Sequence, residues 1–80
     1  MDYINSEMSA REQAQSYLDP GKTVYAAGLM LKLIETQPTA ENLELLADIY
    51  MQQGLFDHAK ALYLRVLRMG LNSLSAVRTN

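Results

Sequence analysis

Tyr50-Met51-Gln52-Gln53-Gly54-Leu55-Phe56-Asp57-His58-Ala59 decides the fold, because the chain carries a counterpart of it 33 residues earlier. At that constant offset Ala14, Tyr17, Gly21, Ala26 and Leu33 stand over Ala47, Tyr50, Gly54, Ala59 and Val66. Small residues fall on small ones, Tyr on Tyr, and Gly on Gly between two apolar stretches. A period in the thirties marks a helical repeat, in which each unit buries its apolar face against its neighbours.

Working outward from the two glycines, the sequence predicts four helices. Ser9-Ala10-Arg11-Glu12 has the form of a capping box: the Ser hydroxyl accepts from a free amide while Glu12 reaches back. Asp19-Pro20-Gly21 ends that first helix, since Pro disfavours helical backbone in the residue before it. A second helix over roughly residues 22–36 is closed by Gln37-Pro38-Thr39, and Thr39 is the expected N-cap of the third. The third, over about residues 40–53, stops at Gly54, which takes a left-handed conformation at no steric cost. A fourth is expected from about Asp57 to Met69, ending at Gly70. Beyond it Leu71, Leu74 and Val77 recur every three residues, enough for a short C-terminal helix. No stretch alternates apolar and polar residues as a strand would. The predicted fold class is therefore all-α, with tandem antiparallel helical hairpins in a single domain over residues 1–80. Repeat one covers about 7–39, repeat two about 40–72, and a capping segment 73–80.

Composition narrows the function. Apolar residues make up 49 % of the 80-residue chain and charged ones 20 %, as expected of a small folded domain rather than a disordered segment. A net charge of −2 gives no basic footprint for nucleic acid. The absence of cysteine removes disulfides and thiolate metal sites. Met1-Asp2-Tyr3-Ile4-Asn5 lacks the basic and apolar regions of a secretory signal. The most apolar run, Val24 to Ile34, is interrupted by Lys32 and is too short to span a bilayer. A cytoplasmic protein is expected.

Both halves resemble the tetratricopeptide repeat, over about residues 7–72. The family pattern is Trp-x2-Leu-Gly-x2-Tyr, then Ala-x3-Phe, then Pro. The second copy has Leu43-x2-Leu46-Ala47-x2-Tyr50 and then Ala59-x3-Tyr63. The first has Ala14-x2-Tyr17, then Ala26-x3-Met30 and Pro38. Two departures stand out. Ala10 and Gln13 replace the bulky pair opening the first copy, and Leu71 stands where Pro should close the second. The pattern has a packing reason: Ala14, Ala26, Ala47 and Ala59 let helices approach closely, and Tyr17, Met30, Tyr50 and Tyr63 are expected to fill the remaining space.

The resemblance implies a non-catalytic protein-interaction module, an adaptor or chaperone-like scaffold. Small bacterial proteins of this kind serve secretion and pilus assembly, an analogy of fold only. It also implies a groove lined by the first helix of each hairpin: Met8, Arg11, Gln15 and Leu18, then Glu41, Glu44, Asp48, Met51 and Gln52. Glu41, Glu44 and Asp48 fall on one helical face. Family members that clamp a terminal carboxylate place Lys, Arg and Asn there, so these acids suit a basic segment instead. The alternative is a solvated acidic face near a helix N-terminus.

Two repeats are few for the family, so the apolar end is either closed by the C-terminal segment or covered by another chain. Leu31 and Leu64 correspond at the repeat offset in places that are usually polar, and Leu55 stands in the turn where Asp is usual. With Leu71 and Leu74 these residues define a candidate interface for homo-oligomerisation, the alternative function being a self-associating structural protein. Catalysis finds no support: His58 is the only histidine, with no nucleophile or second ligand in the pattern. Pro20-Gly21-Lys22-Thr23 ends like a phosphate loop, but Ser16 replaces the required glycine and no strand precedes it. The acids on one helix face cannot wrap a cation. Lys60, Arg65, Arg68 and Arg78 lack the aromatic interleaving of a nucleic-acid surface. No cofactor or metal is expected.

Overall fold

A computed structural model of the chain describes residues 9–78, and their side chains as far as Leu71. It contains α1 (Ala10–Leu18), α2 (Thr23–Thr36), α3 (Ala40–Gln52) and α4 (Phe56–Arg78). No strand occurs among the described residues. The all-α class predicted from the periodicity is the class observed.

The capping logic holds atom by atom. Ser9 Oγ accepts from the Glu12 amide at 3.1 Å while Glu12 Oε1 accepts from the Ser9 amide at 3.0 Å, a reciprocal capping box at the start of α1. The bonds to the Ser9 amide and hydroxyl hold the Glu12 carboxyl below its usual range. Thr39 Oγ1 likewise accepts from the Asn42 amide at 3.2 Å to start α3.

Each hairpin turns in the same way. The Lys22 amide donates to the Tyr17 carbonyl at 2.8 Å and the Gly21 amide to Leu18 at 2.9 Å. In the second hairpin, Leu55 donates to Tyr50 at 2.9 Å and Gly54 to Met51 at 3.1 Å. These paired bonds form a Schellman motif, which requires left-handed backbone at its penultimate residue. Gly21 and Gly54 supply it, with φ of 82° and 78°. No other described residue has positive φ. The 33-residue offset thus reappears as a repeated backbone conformation.

Contacts at both ends of α3 set its direction. The Asn42 side-chain amide donates to the Gln37 carbonyl past the end of α2 at 2.9 Å, and Gln53 Nε2 reaches Thr23 Oγ1 at the start of α2 at 3.4 Å. The helices α2 and α3 are therefore antiparallel neighbours. Their shared core joins Ala14, Ala26, Ala27, Met30, Leu46 and Ile49, with Leu18, Leu29, Leu33, Ile34, Leu45, Tyr50 and Leu62 packed around it. Ala14, Ala26, Ala47 and Ala59 are all fully buried, as the close approach of helices requires. Met30, Leu43, Leu46 and Ile49 are the largest buried side chains. Truncating any one of them to Ala costs about 2–5 kcal/mol.

Two expectations are corrected. Tyr17 and Tyr63 are not core residues: each is 38 % exposed. Tyr17 stacks on Tyr25 with ring centroids 5.6 Å apart, and Tyr63 turns its hydroxyl to Asp48. Of the four expected space-fillers only Met30 is fully buried, while Tyr50 is half-buried. The second correction concerns Gly70, which does not end the fourth helix. It lacks the left-handed φ of Gly21 and Gly54, no proline follows, and α4 runs on through residues 70–78. A lone Gly costs a helix interior only about 1 kcal/mol, which neighbouring hydrogen-bonded turns readily offset. The residues expected to form a separate C-terminal helix extend α4 instead.

Candidate functional site

On α3 the side opposite the core carries Glu41, Glu44, Asp48, Met51 and Gln52, all exposed. The 3.6-residue period explains this: Leu43, Leu46, Ala47 and Ile49 point inward and carry those residues to solvent. Tyr63 on α4 donates its hydroxyl to Asp48 Oδ1, which ties the acidic strip to the flank of α4. That hydrogen bond pushes the Tyr63 phenol up to about 12, helped by partial burial and by the negative charges of Asp48 and Glu44. Glu44 therefore also lies close enough to be felt at the ring. Beside these groups Met51 is 45 % and Leu67 58 % exposed. The surface combines two carboxylates with an adaptable thioether and an aliphatic side chain.

The α1 half of the expected groove is different. Arg11 is exposed, but its Nη1 donates to the Glu41 carbonyl at 2.9 Å and to Asn42 Oδ1 at 3.0 Å. Leu18 is half-buried and packs against the core. Gln15 is exposed, and Met8 lies outside the described residues. The two halves meet through Arg11, whose guanidinium is held by the start of α3. An open cleft of about 360 Å³ lies there, lined by Ser9, Ala10, Arg11, Leu33, Gln37 and Asn42.

The apolar candidates are exposed: Leu31 by 46 %, Leu55 by 41 %, Leu64 by 40 % and Leu71 by 54 %. The side chain of Leu74 lies outside those described. The candidate interface leaves out Val24, Tyr25, Phe56 and Leu67, which are more exposed still, at 71, 63, 62 and 58 %. A signal for Leu67 was present, since it continues the spacing of Leu64 and Leu71. Asn42 was also missed. It is buried at 6 % exposure with every polar atom bonded, and only its position just after the Thr39 cap hinted at a structural role.

His58 is exposed and meets the ring of Tyr50 edge-on at 5.5 Å. Among the described residues no group of three or more His, Asp or Glu side chains converges as a metal site. None of the described helices is long and apolar enough to cross a membrane. Comparison of the chain with protein-family models, curated proteins and solved structures gives no match in any of the three.

Proposed function

We propose that this chain is a non-catalytic protein-interaction module of the tetratricopeptide type, which binds a basic amphipathic segment of another polypeptide. The seat is the exposed side of α3 together with the adjoining flank of α4. The observation that carries this is the placement of Glu44 and Asp48 beside Tyr63, with Met51 and Leu67 exposed alongside. Carboxylates recognise the basic face of such a segment, and the thioether and leucine accept its apolar face. Two identical Schellman turns 33 residues apart support the tetratricopeptide reading. His58 touches only the edge of Tyr50, which gives a catalytic reading nothing to build on. The module is proposed to act in the cytoplasm as an adaptor or chaperone-like scaffold.

The test is titration with a Leu/Lys amphipathic helical peptide and with a Leu/Glu peptide of the same length, followed by fluorescence anisotropy. The basic peptide should bind, the acidic one should not, and raised salt should weaken binding. Glu44→Lys with Asp48→Lys should cost about tenfold or more in affinity, the range of a charge-reversed contact. Equal binding of both peptides would sink the proposal.

A further inference from the structure

The internal repeat shows which surface is left uncovered. On α2, Ala27 and Met30 are buried and Ile34 half-buried, all three packed in the core to which α3 contributes Leu45, Leu46 and Ile49. Their equivalents 33 residues on are Lys60, Tyr63 and Leu67 of α4, and all three are exposed. The opposite end of the domain is closed differently. The residues of α1 equivalent to Leu45, Leu46 and Ile49 are Glu12, Gln13 and Ser16, all polar, with Glu12 and Ser16 exposed and Gln13 half-buried. Among the described residues, one end of the repeat thus carries a mostly polar face and the other an uncovered, partly apolar one.

No described residue covers that face as a following helix of the repeat would. Gln37-Pro38-Thr39 turns the chain from α2 into α3, but the equivalent Gly70-Leu71-Asn72 lies inside α4, which continues to Arg78. The occupant must also run antiparallel to α4, as α3 runs antiparallel to α2.

We propose that the occupant is a second copy of this chain, whose α4 lies antiparallel on α4 in the position that α3 takes on α2. This rests on the interaction-module proposal above and names its partner. Three features of the helix fit. First, an antiparallel pairing of a helix with itself is a two-fold contact, so both open ends are closed by one isologous interface. Second, Tyr63, Leu67 and Leu71 recur every four residues as an exposed row along the side of α4 that those equivalences leave uncovered, opposite Leu62 and Val66. Third, the charges are complementary. Beyond Asp57 the charged residues of α4 are all basic, with Lys60, Arg65 and Arg68 exposed, while the exposed charges of α3 are Glu41, Glu44 and Asp48. Glu44 holds the repeat position of Arg11, the side chain that reaches across to the next helix of the row. A second α4 entering that row brings cations to those carboxylates.

The test is sedimentation equilibrium of the intact chain over a wide concentration range, repeated for Leu67→Glu and Leu31→Glu. Both leucines are exposed, so both variants should keep the helical circular dichroism of the parent. The parent should dimerise, Leu67→Glu should weaken the dimer about a hundredfold or more, as loss of a central interface anchor does, and Leu31→Glu should leave it intact. Should Leu67→Glu lose its helical signal, Leu71→Lys reads the same interface. A chain monomeric at every concentration would overturn the inference. A dimer lost with Leu31→Glu but kept with Leu67→Glu would overturn it too, since the interface would then lie on α2. A monomer that still binds the Leu/Lys peptide would leave the interaction module standing and remove only its identified partner.

Discussion

Arg11 Nη1 stands 3.0 Å from Asn42 Oδ1, a bond between residues 31 apart in sequence that joins the first helices of the two hairpins. Asn42 is the buried partner. Its Nδ2 donates to the carbonyl of Gln37 and its backbone amide to Thr39 Oγ1, so one residue serves the end of α2, the start of α3 and the guanidinium of α1. A short apolar residue there would leave the Gln37 carbonyl unpaired.

Asn42→Ala should therefore destabilise the domain by about 1–3 kcal/mol, the cost of losing two side-chain hydrogen bonds, one of them from a cation. Arg11→Met should cost a similar amount, because it leaves the buried Asn42 Oδ1 without its partner. The two effects should fall short of adding, with a coupling of at least about 0.5 kcal/mol in a double-mutant cycle read by urea unfolding. Strict additivity would mean that the bond contributes nothing to holding the hairpins together.

The glycines divide by sign. Gly54→Ala should destabilise by about 1–2 kcal/mol, because φ of 78° is costly for any side chain even though a Cβ there meets no atom within 4 Å. Gly70→Ala also meets nothing within 4 Å, but on helical backbone, and should stabilise by about 0.5–1 kcal/mol. Thermal melts of the two variants give the answer directly. A destabilised Gly70→Ala would mean that α4 ends at that residue after all.

Tyr63 should be the slow tyrosine in an alkaline titration. Its folded value, about 12, is raised above the usual value of 10.0, so the stabilisation from the Asp48 bond is complete below the unfolded value and disappears as pH climbs between the two. Tyr63→Phe should abolish the last phenolate to appear in the absorbance titration and flatten stability over that window. Asp48→Asn should bring the same titration to lower pH by removing a neighbouring charge.

Acid should act first at the other end of the chain. The Glu12 carboxyl sits below its usual range because the Ser9 amide and hydroxyl bond it, so its contribution is present above the unfolded value and fades as pH falls through the folded one. Ser9→Ala should cost about 1 kcal/mol at neutral pH, the usual value of an N-cap. It should also move the midpoint of the Glu12 carbon shift in an NMR titration part of the way up, since the residue-9 backbone amide still bonds the carboxyl. An unchanged midpoint would deny the Ser9 hydroxyl any hold on that carboxyl.

Most of the fold was legible because its signals are local. Ser9 with Glu12, Thr39, and the two glycines each act on backbone within a turn of themselves, and they place both ends of α1 and both ends of α3 within two or three residues. Gly70 misled because the same residue type serves as a cap or sits in mid-helix, and what separates the two is the backbone around it. Tyr17 and Tyr63 misled for a different reason. A repeat position specifies which way a side chain leaves its helix, but burial also needs a neighbour on that side, and among the described residues α4 has none there. The acidic strip was visible in the spacing of Glu41, Glu44 and Asp48. Its link to α4 through Tyr63, and the engagement of Arg11 by Asn42, depend on contacts across 15 and 31 residues that no periodicity encodes.

The paired Schellman turns also bear on how quickly this chain can fold. Each hairpin closes over a connection of only a few residues, so its two helices meet at little cost in loop entropy. Local contacts of this kind belong to the microsecond-to-millisecond regime of helical domains. Association with a second molecule is bimolecular and waits on diffusion. A stopped-flow refolding trace should accordingly open with a phase whose rate ignores protein concentration, before any phase that responds to it.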